Sequence, residues 1–162
     1  HSLSEYAPKY IKDSIRYDFP LSIMILDLDR FKQINDEFGH TTGDIVLSEI
    51  GKLLMASCRQ GDIVSRIGGE EFLILLPHCP INDAMNKAEK IRSMIEMSKP
   101  TDLNVTASIG IASLIKQHGE DFDKLYKAAD NAVYHSKENG RNQVSADPRS
   151  IEDSELKLAS SV

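Results

Sequence analysis

Thiols, membrane-length apolar runs and excess positive charge are all scarce in this chain, and each shortage removes a class of function. Cys58 and Cys79 are the only cysteines; they form no Cys-x-x-Cys pair, and no His pair stands ready to complete a zinc site, so both read as packing residues. No apolar run approaches the roughly 18 residues that a membrane span needs. His1-Ser2-Leu3-Ser4 carries no signal-peptide pattern, so this piece is expected in the cytoplasm, with membrane anchoring left to a region N-terminal to it. Nineteen basic against 25 acidic residues give a formal charge of -6, which argues against a nucleic acid polymer as partner. A small phosphorylated ligand stays open, because metal ions and a few placed Lys or Arg neutralise it locally. Internal repeats and low-complexity tracts are absent as well.

What is present suits one soluble domain: 162 residues, 41% hydrophobic and 27% charged. Residues 9 to 17 repeat apolar positions at helical spacing up to Pro20, and Leu21-Ser-Ile-Met-Ile-Leu-Asp-Leu28 reads as a strand buried on both faces. Helical periodicity runs from Arg30 to about Phe38, breaks at Gly39 and resumes from about Thr42 to Cys58. Two short strands, Asp62 to Arg66 and Glu70 to Leu76, flank Ile67 and Gly68-Gly69, a tight-turn signal that predicts a hairpin. Pro80 opens a helix to about Met97, and residues 103 to 115 predict one or two strands around Gly110. Another helix spans about Asp121 to Glu138, and Asn142 to Val144 predict a last strand. Beyond Asp147-Pro148 the tail is polar and expected to be loosely held. The order predicts an α+β fold, a central and mostly antiparallel β-sheet of about five strands surrounded by helices.

Asp27 and Asp29 end an otherwise apolar strand, and the period of two puts both on the side of Ile23 and Ile25. Asp29 equally suits the N-cap of the next helix. Glu70 and Glu71 leave the glycine turn and lead into a second run apolar on both faces. If these strands are neighbours, three or four carboxylates converge. Like charges that close raise one another's pKa and destabilise the fold unless a cation sits between them. Hard divalent cations bind through one or two carboxylates plus substrate phosphates, so the pattern predicts metal-assisted phosphoryl transfer. Gly68 and Gly69 make a turn, and their lack of side chains also lets phosphate approach backbone N–H groups.

Arg66-Ile-Gly-Gly-Glu-Glu-Phe72 and Asp27-Leu-Asp-Arg-Phe-Lys-Gln-Ile-Asn-Asp-Glu-Phe-Gly-His-Thr-Thr-Gly-Asp44 together closely resemble the GGDEF domain family, in its GGEEF version. The likeness continues through Leu103 to Ala112 and Ala129 to Asn142, covering roughly residues 3 to 145. It implies a diguanylate cyclase on a fold of the nucleotidyl cyclase and polymerase-palm type, condensing two GTP molecules into cyclic di-GMP with release of pyrophosphate. Asp27 resembles the family's metal-ligating aspartate and the Leu28 carbonyl its companion, for Mg²⁺ or Mn²⁺, two ions per GTP. Glu70 resembles the metal-binding catalytic glutamate proposed to take the 3′-hydroxyl proton, with Glu71 as a further acidic contributor.

Asn35 and Asp44 resemble the pair that reads guanine, although Asp44 after Gly43 also suits a helix cap. His40 and Phe31 lie in the same stretch and border the nucleotide on this reading. Lys32, Lys137 and Arg141 resemble the triphosphate contacts, with Lys32 also counted among the catalytic residues. Arg59-Gln-Gly-Asp62 resembles the inhibitory Arg-x-x-Asp motif, or else forms a surface ion pair; the former implies feedback inhibition by cyclic di-GMP.

The family's Asp-x-Leu-Thr motif with its following Asn-Arg is absent before His1. Residues 1 to 146 are therefore read as the catalytic domain with a truncated start, and 147 to 162 as a polar C-terminal tail. The resemblance further implies a homodimer, because each domain holds one GTP, and an N-terminal sensor domain in the full-length protein. The competing reading is a catalytically silent receptor for GTP or cyclic di-GMP; such relatives usually have a broken signature, and this one is intact.

Overall fold

The structure, a computed structural model, describes residues 3–161. In chain order come α1 (Leu3–Tyr17), β1 (Leu21–Leu28), α2 (Phe31–Phe38), α3 (His40–Ser57), β2 (Ile63–Arg66), β3 (Glu71–Pro77), α4 (Ile81–Ser98), β4 (Ala107–Ser113), α5 (Phe122–Glu138), β5 (Gln143–Ala146) and α6 (Pro148–Ser160). The strands form one five-stranded sheet in the order β2-β3-β1-β4-β5. β1 runs antiparallel to both neighbours, β2 antiparallel to β3, and β5 parallel to β4. The expected α+β architecture is the one that forms.

Antiparallel strands alternate apolar and polar residues when one face is wet. All eight residues of β1 are buried instead, because helices cover the sheet on both sides. Met24, Leu26, Leu28, Ile74 and Ile109 pack under α2, α3 and α4 through Ile34, Ile50, Leu54, Ala88 and Ile91. On the opposite face Ile23, Ile25, Leu73 and Leu75 meet Ala7 of α1 and Leu125, Ala129 and Val133 of α5. Each fully buried Ile or Leu contributes about 1.5–3 kcal/mol, so the middle of β1 is the anchor of the molecule. Gly110 decides how closely α5 can approach: a Cβ there would lie 2.3 Å from the Ala129 carbonyl oxygen and 2.3 Å from the Val133 nitrogen. The backbone of α5 rests directly on β4, and its last turn thereby brings Lys137 to the end of β1.

Three local expectations need correction. Arg30, in a left-handed conformation and without a side-chain cap bond, occupies the N-cap of α2, so Asp29 does not cap that helix. Asp29 is buried and accepts from Thr106 Oγ1 at 2.8 Å, Ser108 Oγ at 2.6 Å and the Asn142 N–H at 3.0 Å. Gly68 and Gly69 are not among the residues with positive φ, so the hairpin is not a two-residue turn that demands glycine. Ile67 N–H closes the loop onto Glu71 O at 2.9 Å, which makes it wider. The tail, finally, is helical from Pro148. Asp147 caps it by accepting the Ser150 N–H at 3.2 Å, and the buried Ser150 hydroxyl accepts the Ser113 N–H at 2.9 Å. An Asp before a Pro is an N-cap and first-turn signal, and the polarity of residues 149 to 162 masks it.

Candidate active site

Asp27 and Glu71 are direct partners across β1 and β3. Leu28 donates its N–H to the Glu70 carbonyl at 3.1 Å, which leaves the Asp27–Glu71 pair in the position where side chains stand closest. The two acidic segments therefore meet. Burial pushes the Glu71 carboxyl above its ordinary range, the Asp27 charge adds to this, and Lys137 opposes it. Lys137 Nζ donates to Asp27 Oδ2 at 2.6 Å, the closest compensation the pair has. Among the described residues no backbone N–H returns to the Leu28 carbonyl, so that oxygen keeps its acceptor capacity beside Asp27. Among the described residues no group of three or more His, Cys, Asp or Glu is placed to hold a metal ion, so the three or four converging carboxylates expected from the sequence reduce to the Asp27–Glu71 pair. Paired carboxylates, a free carbonyl and an open side fit a hard cation that shares its coordination with water and phosphate.

The glycine loop is held by Arg66, whose Nε donates to Gly68 O at 3.1 Å and whose Nη2 donates to Gly69 O at 2.7 Å. Sequence alone assigns Arg66 no role, although it opens the glycine motif. Neither glycine is required by backbone conformation, and a Cβ on Gly69 would meet nothing within 4 Å. Their smallness leaves the loop's backbone uncovered.

Across the site, α2 and α3 meet at Gly39. Asn35 Oδ1 is buried there without a hydrogen-bond partner. Gly43 makes room for it, since a Cβ on Gly43 would fall 1.9 Å from that oxygen and 3.1 Å from Phe31. Phe31 itself belongs to the buried core beneath. Asp44 is exposed inside α3, one turn past its start, so it does not cap the helix. His40 opens α3 and Lys32 lies in the first turn of α2; both are exposed. Arg141 is exposed with left-handed φ of 63°, in the loop that also delivers the Asn142 N–H to Asp29.

Arg59 and Asp62 lie elsewhere. Arg59 Nη2 donates to Pro77 O at 2.8 Å, and Pro77 pairs with Leu21, at the opposite end of β1 from Asp27. The expected ion pair forms: Arg59 Nη2 stands 3.7 Å from Asp62 Oδ1, which has no hydrogen-bond partner, and the Arg59 backbone N–H donates to Oδ2 at 2.9 Å. Lys87 Nζ stands 3.5 Å from Oδ2, with the Asp62 side chain only 1% exposed. A cavity of about 460 Å³ beside them is lined by Arg59, Cys79, Asp83, Lys87, Lys90 and Met94, among others. Lys87 and Lys90 come from α4, and nothing in the sequence ties them to the Arg59 motif.

The family model described as "Diguanylate cyclase, GGDEF domain" matches residues 2–143. Diguanylate cyclase A of Treponema denticola is 43% identical over 128 residues, 76% of this chain and 34% of that protein. The chain thus spans about a third of the length of that curated relative. A solved active GGEEF domain of a diguanylate cyclase from Vibrio cholerae superposes with a TM-score of 0.84 at 32% identity, covering 88% of this chain and 92% of that one. The GGDEF domain of DgcB from Caulobacter crescentus, solved with c-di-GMP, gives 0.81 at 26% identity, covering 89% of this chain and 85% of that one.

Proposed function

Because the chain belongs to the GGDEF family of diguanylate cyclases, we propose that it condenses two GTP molecules into cyclic di-GMP with release of pyrophosphate. The observation that carries this reading is the in-register Asp27–Glu71 pair, with Glu70 and the uncovered glycine loop beside it. Asp27, the Leu28 carbonyl, Glu70 and Glu71 would hold Mg²⁺ or Mn²⁺, two ions per GTP. Such ions neutralise charge on the reacting phosphate and acidify the attacking 3′-hydroxyl. Glu70 accepts the hydroxyl proton as the oxygen attacks the α-phosphate and the bond to pyrophosphate breaks. Lys32, Lys137 and Arg141 set positive charge against the triphosphate, and His40 borders the nucleotide.

Asn35 and Asp44 read the base. The orphaned Asn35 Oδ1 is an acceptor awaiting an N–H, and guanine offers one where Asp44 requires the same. Adenine presents an acceptor there and is rejected. Each domain holds one GTP, so two copies must face each other. Arg59, Lys87 and Lys90 line a second, anion-accepting site, with the buried Asp62 holding Arg59 and Lys87 from behind, and this site takes the product and inhibits the enzyme.

Incubation with GTP and Mg²⁺ over a series of protein concentrations, with mass spectrometry of the product, tests the reading. Cyclic di-GMP is expected, at a rate rising faster than linearly with protein. Glu70→Ala should lower turnover about 100-fold or more with the fold retained. No product, or full activity in the folded variant, would remove the proposal's basis.

A further inference from the structure

A cavity of about 490 Å³ opens between the 3₁₀ turn Lys116–His118, the first half of α5 and the start of α6. β4 ends here at Ser113, which pairs with Ser22, so the cavity lies at the end of the sheet away from Asp27. Gln117, His118, Lys124, Lys127, Asn131 and Arg149 line it. Among the described residues none of Lys124, Lys127 and Arg149 enters an ion pair, in a chain whose formal charge is -6. The carboxylate in the wall, Asp147, is already engaged by the Ser150 N–H at 3.2 Å and hydroxyl at 2.8 Å.

His118 makes this more than a patch of surface lysines. It is only 3% exposed, yet it lines the cavity. Its Nδ1 accepts the Ile115 N–H at 3.1 Å, which assigns the proton of the neutral ring to Nε2. Among the described residues no acceptor takes up that Nε2–H. Burial, with Arg149 and Lys124 adding to it against Asp147, holds the His118 pKa below the ordinary imidazole value and keeps the ring in this neutral form.

We propose that this cavity binds a phosphate monoester dianion, with Lys124, Lys127 and Arg149 balancing its charge and the Nε2–H of His118, open to the cavity on an otherwise buried ring, donating to one of its oxygens. The same chemistry is presented by a free phosphorylated metabolite and by a phosphorylated side chain of a partner. The site is independent of the cyclase reading.

The test monitors the His118 ring resonance by NMR, beside calorimetry, while inorganic phosphate, glycerol phosphate or a short phosphoserine peptide is titrated into the whole chain. A saturable His118 shift at a dissociation constant of about 1 mM or tighter is expected. Arg149→Gln and Lys127→Gln, both at exposed positions, should each weaken it about fivefold or more, whereas Glu70→Ala should retain it. A peptide tighter than glycerol phosphate assigns the site to a phosphorylated partner, and the reverse order assigns it to a metabolite. Acetate or the unphosphorylated peptide shifting His118 equally would overturn the proposal, and so would phosphate binding that leaves His118 unmoved.

Discussion

Asp27 and Glu71 carry like charge across neighbouring strands, and Lys137 is the nearby cation that moderates it. Such an arrangement costs folding free energy in the absence of a bound cation. Glu71→Gln removes one of the charges at nearly constant volume. In EDTA the variant is expected to melt about 1–2 °C higher than the parent, a small gain because water already screens a half-exposed carboxylate. Mg²⁺ should raise the melting temperature of the parent by more than that of the variant. A variant that melts lower in EDTA would show that Glu71 is stabilising and that repulsion does not dominate there. The meeting of residues 27 and 71 was legible from two apolar strands that both end in carboxylates. The family resemblance set Lys137 against the triphosphate, but its ion pair with Asp27 was not legible, because 110 residues separate the two and only the packing of α5 on Gly110 brings them together. The role of Asp29 was hidden for a related reason: its hydroxyl partners, Thr106 and Ser108, lie across a strand pairing that local sequence does not announce.

At the scale of elements, the α2–α3 corner shows a glycine that supplies space where backbone freedom is not at issue. Gly43 has no positive φ, lies inside α3 and would be more helix-favourable as alanine by about 1 kcal/mol. Its added methyl would nevertheless occupy the place of Asn35 Oδ1. The methyl is expected to turn the Asn35 amide out of its seat, so that Gly43→Ala keeps a melting temperature near the parent's but raises the KM for GTP about tenfold or more. Calorimetric GTP affinity equal to the parent's would mean that Asn35 takes no part in reading the base. β1, α4 and α5 were legible almost to their ends, because long uniform burial or helical periodicity outweighs local ambiguity. The glycine loop and α6 were not. The first has glycines for reasons other than turn conformation, and the second docks through Asp147 and Ser150, two polar residues that a search for apolar faces passes over.

Over the whole molecule, the sheet order was beyond local reading: β5 pairs in parallel with β4 and is reached only after α5 crosses the sheet. That order places the Arg59 cavity and the carboxylate pair at opposite ends of β1, separated by about 20 Å for the six steps from Leu21 to Asp27. On the proposed function, a product held at Arg59 does not reach the Asp27–Glu71 carboxylates of the same domain, so any inhibition exerted from there would have to work through the fold or through the facing of two domains. α4 offers a continuous connection. It carries Lys87 and Lys90 in the cavity wall, and further along it Arg92 Nη1 donates to Asn142 Oδ1 at 2.8 Å, while the Asn142 N–H holds Asp29. Arg59 is half-exposed, so its removal leaves the core intact while taking away the one guanidinium in the cavity wall. Calorimetry with cyclic di-GMP should therefore show binding at least about tenfold weaker in Arg59→Ala, with the half-inhibiting product concentration rising in parallel. Equal affinity in parent and variant would place any product binding away from this cavity, and the shift in inhibition would have to be sought at the carboxylate end of β1.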